Sequence, residues 1–160
     1  MSNLTACQTI AEWVTELDLD HVPVAARTAA MQSWVDVLGC MVGGQAIDAG
    51  GKIRTLALNE YGAGPCRIAG MNHTTSATGA ALTNGSAAHA LDYDDTSYAG
   101  VVHASATIAA AVLAASDHAD TDGRTVFTAF IAGSEAEYAF GRAASNQIFM
   151  DGWWTTSVFG

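Results

Sequence analysis

Positive charge is scarce in this sequence. Six Lys and Arg residues stand against sixteen Asp and Glu residues over 160 positions, which gives a formal net charge of −10, and Lys52 is the one lysine. Proteins that bind a phosphate backbone or an anionic membrane surface do so through clustered Lys and Arg side chains. The composition therefore predicts that neither nucleic acid nor a membrane is a partner.

Cysteine is also scarce. Cys7, Cys40 and Cys66 are widely spaced and form no C-x-x-C pattern, which cysteine-based metal sites and redox pairs require. We expect three reduced thiols, as is usual in the cytoplasm. No basic region followed by an apolar one, the mark of a signal peptide, opens the sequence, and the longest weakly polar stretch, 104–116, is too short to span a bilayer. These features predict a soluble, cytoplasmic protein.

Proline is limited to two residues, whereas alanine makes up a fifth of the chain. The chain is 50% hydrophobic and only 14% charged, which excludes a disordered polypeptide. Alanine-rich sequences with little proline favour closely packed helices. The sequence therefore predicts an all-α fold, a closely packed helical bundle, with residues 1–160 forming one helical domain.

Apolar periodicity and capping residues predict six helices in series. The first is capped by Thr5 or Thr9 and runs to about Leu17, and the others are expected near 23–42, 53–61, 75–91, 104–119 and 125–144. Small residues at helical spacing in the fourth helix favour a close approach of helix backbones. The fifth helix is apolar on nearly all sides, which predicts a position inside the bundle.

One strip, residues 84–105, has the residue types of a catalytic site. Three carboxylates, Asp92, Asp94 and Asp95, lie within four residues, and His103 opens the next expected helix. Neighbouring carboxylates raise one another's pKa, a property that general acid–base catalysis uses. His103 is placed where an imidazole would face a cleft between helix ends.

Other interpretations of this strip remain open. His103 could simply cap a helix N-terminus, and the three aspartates could form a solvated loop at a helix end. Asp-x-Asp-Asp is also rich in oxygen ligands, but the glycine and distal glutamate of a calcium loop are missing, so we predict no metal. His89 is interpreted as a histidine packed in the core.

The order of motifs resembles that of a known family. The run from Asn84 to Thr96, which contains Asn-Gly, His and Asp-Tyr-Asp-Asp-Thr, is followed by His103-Ala104-Ser105-Ala106 and closely resembles the signature of the MmgE/PrpD family. Supporting matches keep the same order along the chain: Trp34–Cys40, Cys66–Gly70, Ala132–Glu135 and Gly152–Gly160.

This resemblance implies both a fold and a chemistry. The family comprises 2-methylcitrate dehydratase, cis-aconitate decarboxylase and iminodisuccinate epimerase, with a large helical domain, a smaller α/β lid and usually a homodimer. The chain resembles the N-terminal third alone, without the lid, so a homodimer or a complementing second chain is the implied partner. The implied chemistry is cofactor-free acid–base work on a small polycarboxylate, by proton abstraction next to a carboxylate.

The resemblance also implies site residues by matching position. His103 would transfer a proton or bind a carboxylate, and Thr96 would donate its hydroxyl to a substrate carboxylate. Asp92 would be an orienting carboxylate. Trp154 stands where the family usually has an active-site histidine. The implied set is therefore catalytic His103, Asp92 and Thr96, with substrate-binding Asn84, Asp95 and Trp154.

Two further features bear on function. Gly141-Arg142-Ala143 and the Asp95-to-His103 spacing favour the iminodisuccinate epimerase branch.

The strip around His103 has no Lys or Arg, although a di- or tricarboxylate needs cationic or N–H partners to leave water. We therefore expect either the N-terminal portion or subunit of a lyase or epimerase, or a truncated, non-catalytic homologue that acts as a helical association module. Either way, apolar surface should be exposed.

Overall fold

The computed structural model describes residues 4–98, 100–144 and 147–160, and most of these residues are helical. The helices are α1 (Ala6–Glu16), α2 (Val24–Gly44), α3 (Asp48–Glu60), α4 (Ala77–His89), α5 (Ala104–Ala119), α6 (Gly123–Ala144), α7 (Gln147–Met150) and α8 (Thr155–Phe159). A 3-10 turn, Leu19–His21, precedes α2, and strands β1 (Cys66–Arg67) and β2 (Thr74–Thr75) pair antiparallel. The prediction of a mostly helical fold is confirmed.

Side-chain caps set several helix ends. Thr5 caps α1, since its Oγ1 accepts the Gln8 N–H at 3.3 Å while the Gln8 side chain accepts the Thr5 N–H at 2.9 Å. Ser76 caps α4 by accepting the Gly79 N–H at 3.2 Å, so α4 begins two residues later than predicted. It also ends earlier, at His89, because the chain turns sharply and Asp92 adopts a φ of 53°.

The core forms around α5. Its Ala106, Ala109 and Ala110 pack with Val37 and Met41 of α2, and the same cluster includes Ala88 of α4 and Phe130 of α6. No residue of the first half of α5, 104–110, is exposed, although Ala111 and Ala115 further along are. The expected position inside the bundle therefore holds for the half of α5 that follows His103.

Small residues bring α2 and α4 into backbone contact. Ala80, Ala87 and Ala88 of α4 are fully buried, and a Cβ added to Gly44 would lie 1.9 Å from the Ala87 carbonyl oxygen. Only glycine fits there, so the expectation of closely approaching helix backbones is confirmed. This contact lies two residues before His89 and helps to position it.

One face of α2 carries apolar side chains that the rest of the described chain leaves exposed. Val24, Met31, Val35 and Val42 are all exposed and recur at helical spacing. The opposite face contributes Val37 and Met41 to the core. The expected exposed apolar surface is therefore present.

Periodicity did not predict two short helices, α7 and α8, since four or five residues are too few to show a helical pattern. The third helix starts at Asp48, five residues before the first apolar residue used to predict it. In the part of the chain that the structure describes, no helix has the length and apolar character needed to cross a membrane.

Candidate acid–base site

The candidate site forms where the end of α4 meets the start of α5. Among its described residues, the connecting loop has two non-glycine positions with left-handed backbone, Asp92 (φ 53°) and Val101 (φ 55°). Ser97 and Val102 pair across it, with N–H to carbonyl distances of 2.8 and 3.1 Å. A left-handed backbone is unfavourable for a β-branched residue such as valine, and such strain concentrates at functional sites. The loop returns the chain so that His89 and His103 become neighbours.

Asp94 joins two histidines. The Nδ1 atom of His89 lies 3.0 and 3.1 Å from the two Asp94 carboxylate oxygens, and Nδ1 of His103 lies 3.2 Å from Oδ2. The Asp94 side chain is fully buried, that of His103 is 8% exposed and that of His89 is 42% exposed. The two imidazole rings meet edge to face, with centroids 4.8 Å apart. A buried carboxylate thus has an imidazole on each side.

Sequence reasoning misinterpreted one member of this cluster, His89, and did not distinguish another, Asp94, from its neighbours. The interpretation of His89 as a packed core histidine was wrong, because its ring is partly exposed and is hydrogen-bonded to Asp94. Asp94 was one of three equivalent aspartates in the sequence. The available signal was the five-residue spacing of His89 and Asp94 across a helix end, which becomes a contact only when the loop turns.

Two of the predicted catalytic residues lie at the rim of the cluster. The Oγ1 atom of Thr96 is 3.4 Å from Nδ1 of His103, and Thr96 is exposed. A carboxylate oxygen of Asp92, also exposed, lies within 4.8 Å of a donor atom on each of His89, Asp94 and His103. The structure therefore brings Asp92, Thr96 and His103 together, with His103 innermost.

Asp95 faces α5. Its Oδ2 accepts the Ser105 hydroxyl at 2.7 Å, and its Oδ1 accepts the Ser105 backbone N–H at 3.3 Å. A carboxylate at a helix N-terminus also interacts favourably with the helix dipole. Asp95 thus caps α5. The sequence had left open that the His103 side chain is the cap of this helix. His103 occupies the N-cap position, but its side chain makes no capping hydrogen bond.

Asn84 is engaged away from the cluster. Its Oδ1 accepts the Ala69 N–H at 2.9 Å and its Nδ2 donates to the Arg67 carbonyl at 3.0 Å. The residue is almost completely buried. Both ends of the amide therefore hold the segment that follows β1, and a substrate-binding role for Asn84 stays a prediction.

The C-terminal helix α8 supports the start of α5. The backbone N–H of His103 donates to Thr156 Oγ1 at 3.0 Å, and the buried Thr155 hydroxyl donates to the carbonyl of Val101. Trp154, just before α8, stacks on the His103 ring at a centroid distance of 5.9 Å and an interplanar angle of 26°. Trp154 therefore gives His103 an aromatic wall, and its substrate-binding role stays a prediction.

Four of the six described Lys and Arg side chains have partners elsewhere. Arg67 pairs with Asp117, Arg124 with Asp18 and Asp20, and Lys52 with Asp48, while Arg54 donates to Gln45. Among the residues that the structure describes, no Lys or Arg makes an ion pair or hydrogen bond with the histidine cluster. The cations that a polycarboxylate requires are not supplied by these contacts.

A buried carboxyl lies behind Asp95. Glu137 of α6 accepts the Thr107 hydroxyl at 3.2 Å, while its Oε1 atom has no hydrogen-bond partner among the described residues. Burial raises the pKa of Glu137, the hydrogen bond from Thr107 opposes that rise, and the charge of Asp95 adds to it. Burial likewise raises the pKa of the adjacent Tyr138 to about 12.

The cluster also has the donor set of a metal site. One donor atom from each of His89, Asp92, Asp94 and His103 lies within 4.8 Å of the others. Imidazole and carboxylate are common ligands of Zn²⁺ at about 2.1 Å. However, the short Nδ1-to-carboxylate distances are also those of direct hydrogen bonds. The same atoms can therefore either bind a metal or pair with one another.

Known proteins give this geometry a context. A model of the MmgE/PrpD N-terminal domain matches residues 8–160. Two curated cis-aconitate decarboxylases from Aspergillus terreus, one of them from strain NIH 2624 / FGSC A1156, are each 26% identical over 157 residues, which cover 94% of this chain and 32% of theirs. The chain thus spans about a third of the length of these relatives. They give the epimerase branch no support.

Proposed function

Because the chain belongs to the MmgE/PrpD N-terminal domain family, we propose that it is the N-terminal portion or one subunit of a cofactor-free acid–base enzyme. The enzyme is a lyase or epimerase that acts on small di- or tricarboxylates. The observation that carries this proposal is the pairing of buried Asp94 with His89 and His103, beside Thr96 and Asp92. The relatives' name makes cis-aconitate the first substrate to test.

The proposed step removes a proton from the carbon next to a substrate carboxylate. His103 accepts the proton, and the electron pair of the broken C–H bond is delocalised into the carboxylate. In a dehydration the electron pair then expels the substrate hydroxyl group, which takes the proton from the His103 imidazolium and leaves as water. In an epimerisation the carbon takes a proton on the opposite face. In a decarboxylation the electron pair comes from the C–CO2 bond, and the protonated imidazole delivers the proton. Each step needs an imidazole within hydrogen-bond reach of the reacting carbon.

Substrate charge determines what else the site requires. Thr96 can donate its exposed hydroxyl to one substrate carboxylate, but Asp92, Asp94 and Asp95 make the surroundings negative. Removing a multiply charged anion from water is costly unless cations or several N–H groups replace the water. We therefore propose that a complementing second chain or a second copy supplies the cations. A homodimer and a cytoplasmic location both stay predictions.

The test is turnover with and without such a partner. Cis-aconitate, citrate-like acids and aspartate-like acids are incubated with the chain alone and with a candidate partner, such as the product of a neighbouring reading frame. We expect His103→Ala to abolish turnover. His118→Ala is a matched control, because His118 is exposed near the other end of α5, about 22 Å away at 1.5 Å per residue.

Two results would contradict this proposal. Turnover that survives His103→Ala would remove His103 from the chemistry. Turnover that is lost with a chelator and restored by Zn²⁺ would make the cluster a metal centre and would end the cofactor-free account.

A second candidate function is a non-catalytic helical association module. The exposed apolar face of α2 favours it, since Val24, Met31, Val35 and Val42 form a stripe that the described chain leaves uncovered. Light scattering and binding of an apolar dye test this candidate. A monodisperse monomer that binds no dye would contradict it, whereas a stable assembly without turnover in any mixture would favour it over the enzyme.

A further inference from the structure

We propose that Asp94 holds both His89 and His103 as Nδ1–H imidazoles, leaving the Nε2 atom of each free to accept a proton, so that His89 is a second acid–base group of this site. The use of His89 in catalysis rests on the proposed function above. The protonation pattern does not, because it follows from the contacts of the described residues alone.

The argument begins with the carboxylate. A fully buried, ionised carboxylate is strongly unfavourable unless donors surround it. The Asp94 oxygens lie 3.0 and 3.1 Å from His89 Nδ1 and 3.2 Å from His103 Nδ1. His103 Nδ1 also lies 3.4 Å from the Thr96 hydroxyl, whose oxygen can accept an N–H as well as donate its own proton. An Nδ1 atom without a proton would direct its lone pair at an oxygen of the same sign. Each imidazole therefore carries its proton on Nδ1 and interacts favourably with Asp94.

A neutral imidazole has one N–H, so a proton on Nδ1 leaves Nε2 as an acceptor. The hydrogen bond made by one ring nitrogen thus determines the role of the other. Both rings of this site share that arrangement. Asp94 is a positioning residue, because it is proposed to act through the two imidazoles that it contacts.

Sharing one carboxylate couples the two rings. When both imidazoles are neutral, Asp94, His89 and His103 together carry one negative charge. A proton taken up at the Nε2 atom of either ring neutralises that charge. The protonated ring stays beside Asp94 whichever ring it is, and the centroids are only 4.8 Å apart. His103 is nearly buried against Trp154, whereas His89 is 42% exposed. His103 is therefore suited to the substrate proton, and His89 to proton exchange with solvent.

Histidine tautomers can be read directly by NMR. In the chelator-treated chain with ¹⁵N-labelled histidine, long-range ¹H–¹⁵N spectra above the imidazole titration should show His89 and His103 as Nδ1–H. Exposed His118 is the internal reference and should show mainly the Nε2–H form of a free imidazole. An Nε2–H form at either His89 or His103 overturns the proposal, and this wild-type spectrum decides even where a variant fails to fold.

Two matched variants test the role of Asp94. Asp94→Asn replaces one acceptor oxygen by an NH2 donor, so at least one of the two rings should change to Nε2–H. Asp92→Asn removes the same charge from the rim without a hydrogen bond to either Nδ1, and asparagine also tolerates the left-handed backbone there. Both rings should stay Nδ1–H in Asp92→Asn. Unchanged tautomers in folded Asp94→Asn would overturn the inference.

Catalytic use of His89 needs a separate readout. His89→Gln keeps an N–H donor for Asp94 but provides no base. In a mixture that shows turnover, we expect kcat to fall about 100-fold, as for the loss of a general acid or base, while KM changes little and one limb of the pH–rate profile disappears. An unchanged kcat overturns the second acid–base role. If no mixture turns over, the tautomers still decide the Asp94 arrangement, so the two proposals fail separately.

Discussion

Replacing two glycines of α2 with alanine, one at a time, tests the close contact between α2 and α4 that positions His89. At Gly44 an added Cβ would lie 1.9 Å from the Ala87 carbonyl oxygen and 2.6 Å from the carbonyl carbon. Because these neighbours are backbone atoms, no side-chain rotation relieves the clash, and the helices must separate. Overpacking of this kind costs about 1–3 kcal/mol of unfolding free energy.

Gly39 is the matched control on the same helix. A Cβ added to Gly39 would meet nothing within 4 Å. The residue is exposed to solvent and lies away from both ends of α2. Gly39→Ala should therefore gain the helix propensity difference, about 0.8–1 kcal/mol. The same substitution thus has opposite effects at the two positions.

Urea unfolding followed by far-UV circular dichroism measures both changes. With a slope of about 2 kcal/mol per molar urea, Gly39→Ala should raise the midpoint by about 0.4–0.5 M, and Gly44→Ala should lower it by about 0.5–1.5 M. Gly44→Ala as stable as wild type would refute the backbone contact. A loss of stability in Gly39→Ala would show that this face of α2 is covered.

Three further predictions concern polar and titratable groups. A double-mutant cycle of Asp95→Ala and Ser105→Ala should give a coupling of about 1–2 kcal/mol, measured by urea unfolding, and no coupling would remove Asp95 as the cap of α5. Burial raises the pKa of Glu137, so its contribution to stability is fully present below its unfolded pKa and is lost as pH rises through its folded pKa. The Tm of the wild-type chain should therefore fall as pH rises through this range, and the fall should be smaller in Glu137→Gln. Parallel Tm–pH curves for the wild type and Glu137→Gln would contradict this prediction. Burial also raises the pKa of the Cys40 and Cys66 thiols, so in the native chain a thiol reagent should label exposed Cys7 first. Equal labelling rates at the three cysteines would contradict the burial of Cys40 and Cys66.

The sequence contained enough information to predict the main helices. Residues 104–119 were predicted and observed as one helix, because a run of mostly apolar residues, rich in alanine, begins after His103 and ends at a polar turn. Thr5 and Thr9 were the two predicted caps of α1, and the structure shows that Thr5 is the cap, through a contact between residues only three positions apart. Local rules sufficed where the interaction itself was local.

The site was only partly predictable, for the opposite reason. His103, Asp92 and Thr96 could be proposed together because they lie in one short strip, and the structure brings them close to one another. The pairing of His89 with Asp94 depends on the left-handed turn at Asp92, which residue periodicity does not encode. Likewise, Asp95 resembled its neighbours in sequence, and only its contact with Ser105 shows that it caps α5.

The central claim is that His103 moves a proton at a carbon next to a substrate carboxylate. Its most direct measurement is deuterium exchange. Citrate-like and aspartate-like acids are incubated in D2O with the chain and its candidate partner, and loss of the C–H signal is followed by ¹H NMR. The account predicts exchange with wild type and with His118→Ala, and none with His103→Ala. Exchange that continues unchanged in His103→Ala would contradict it.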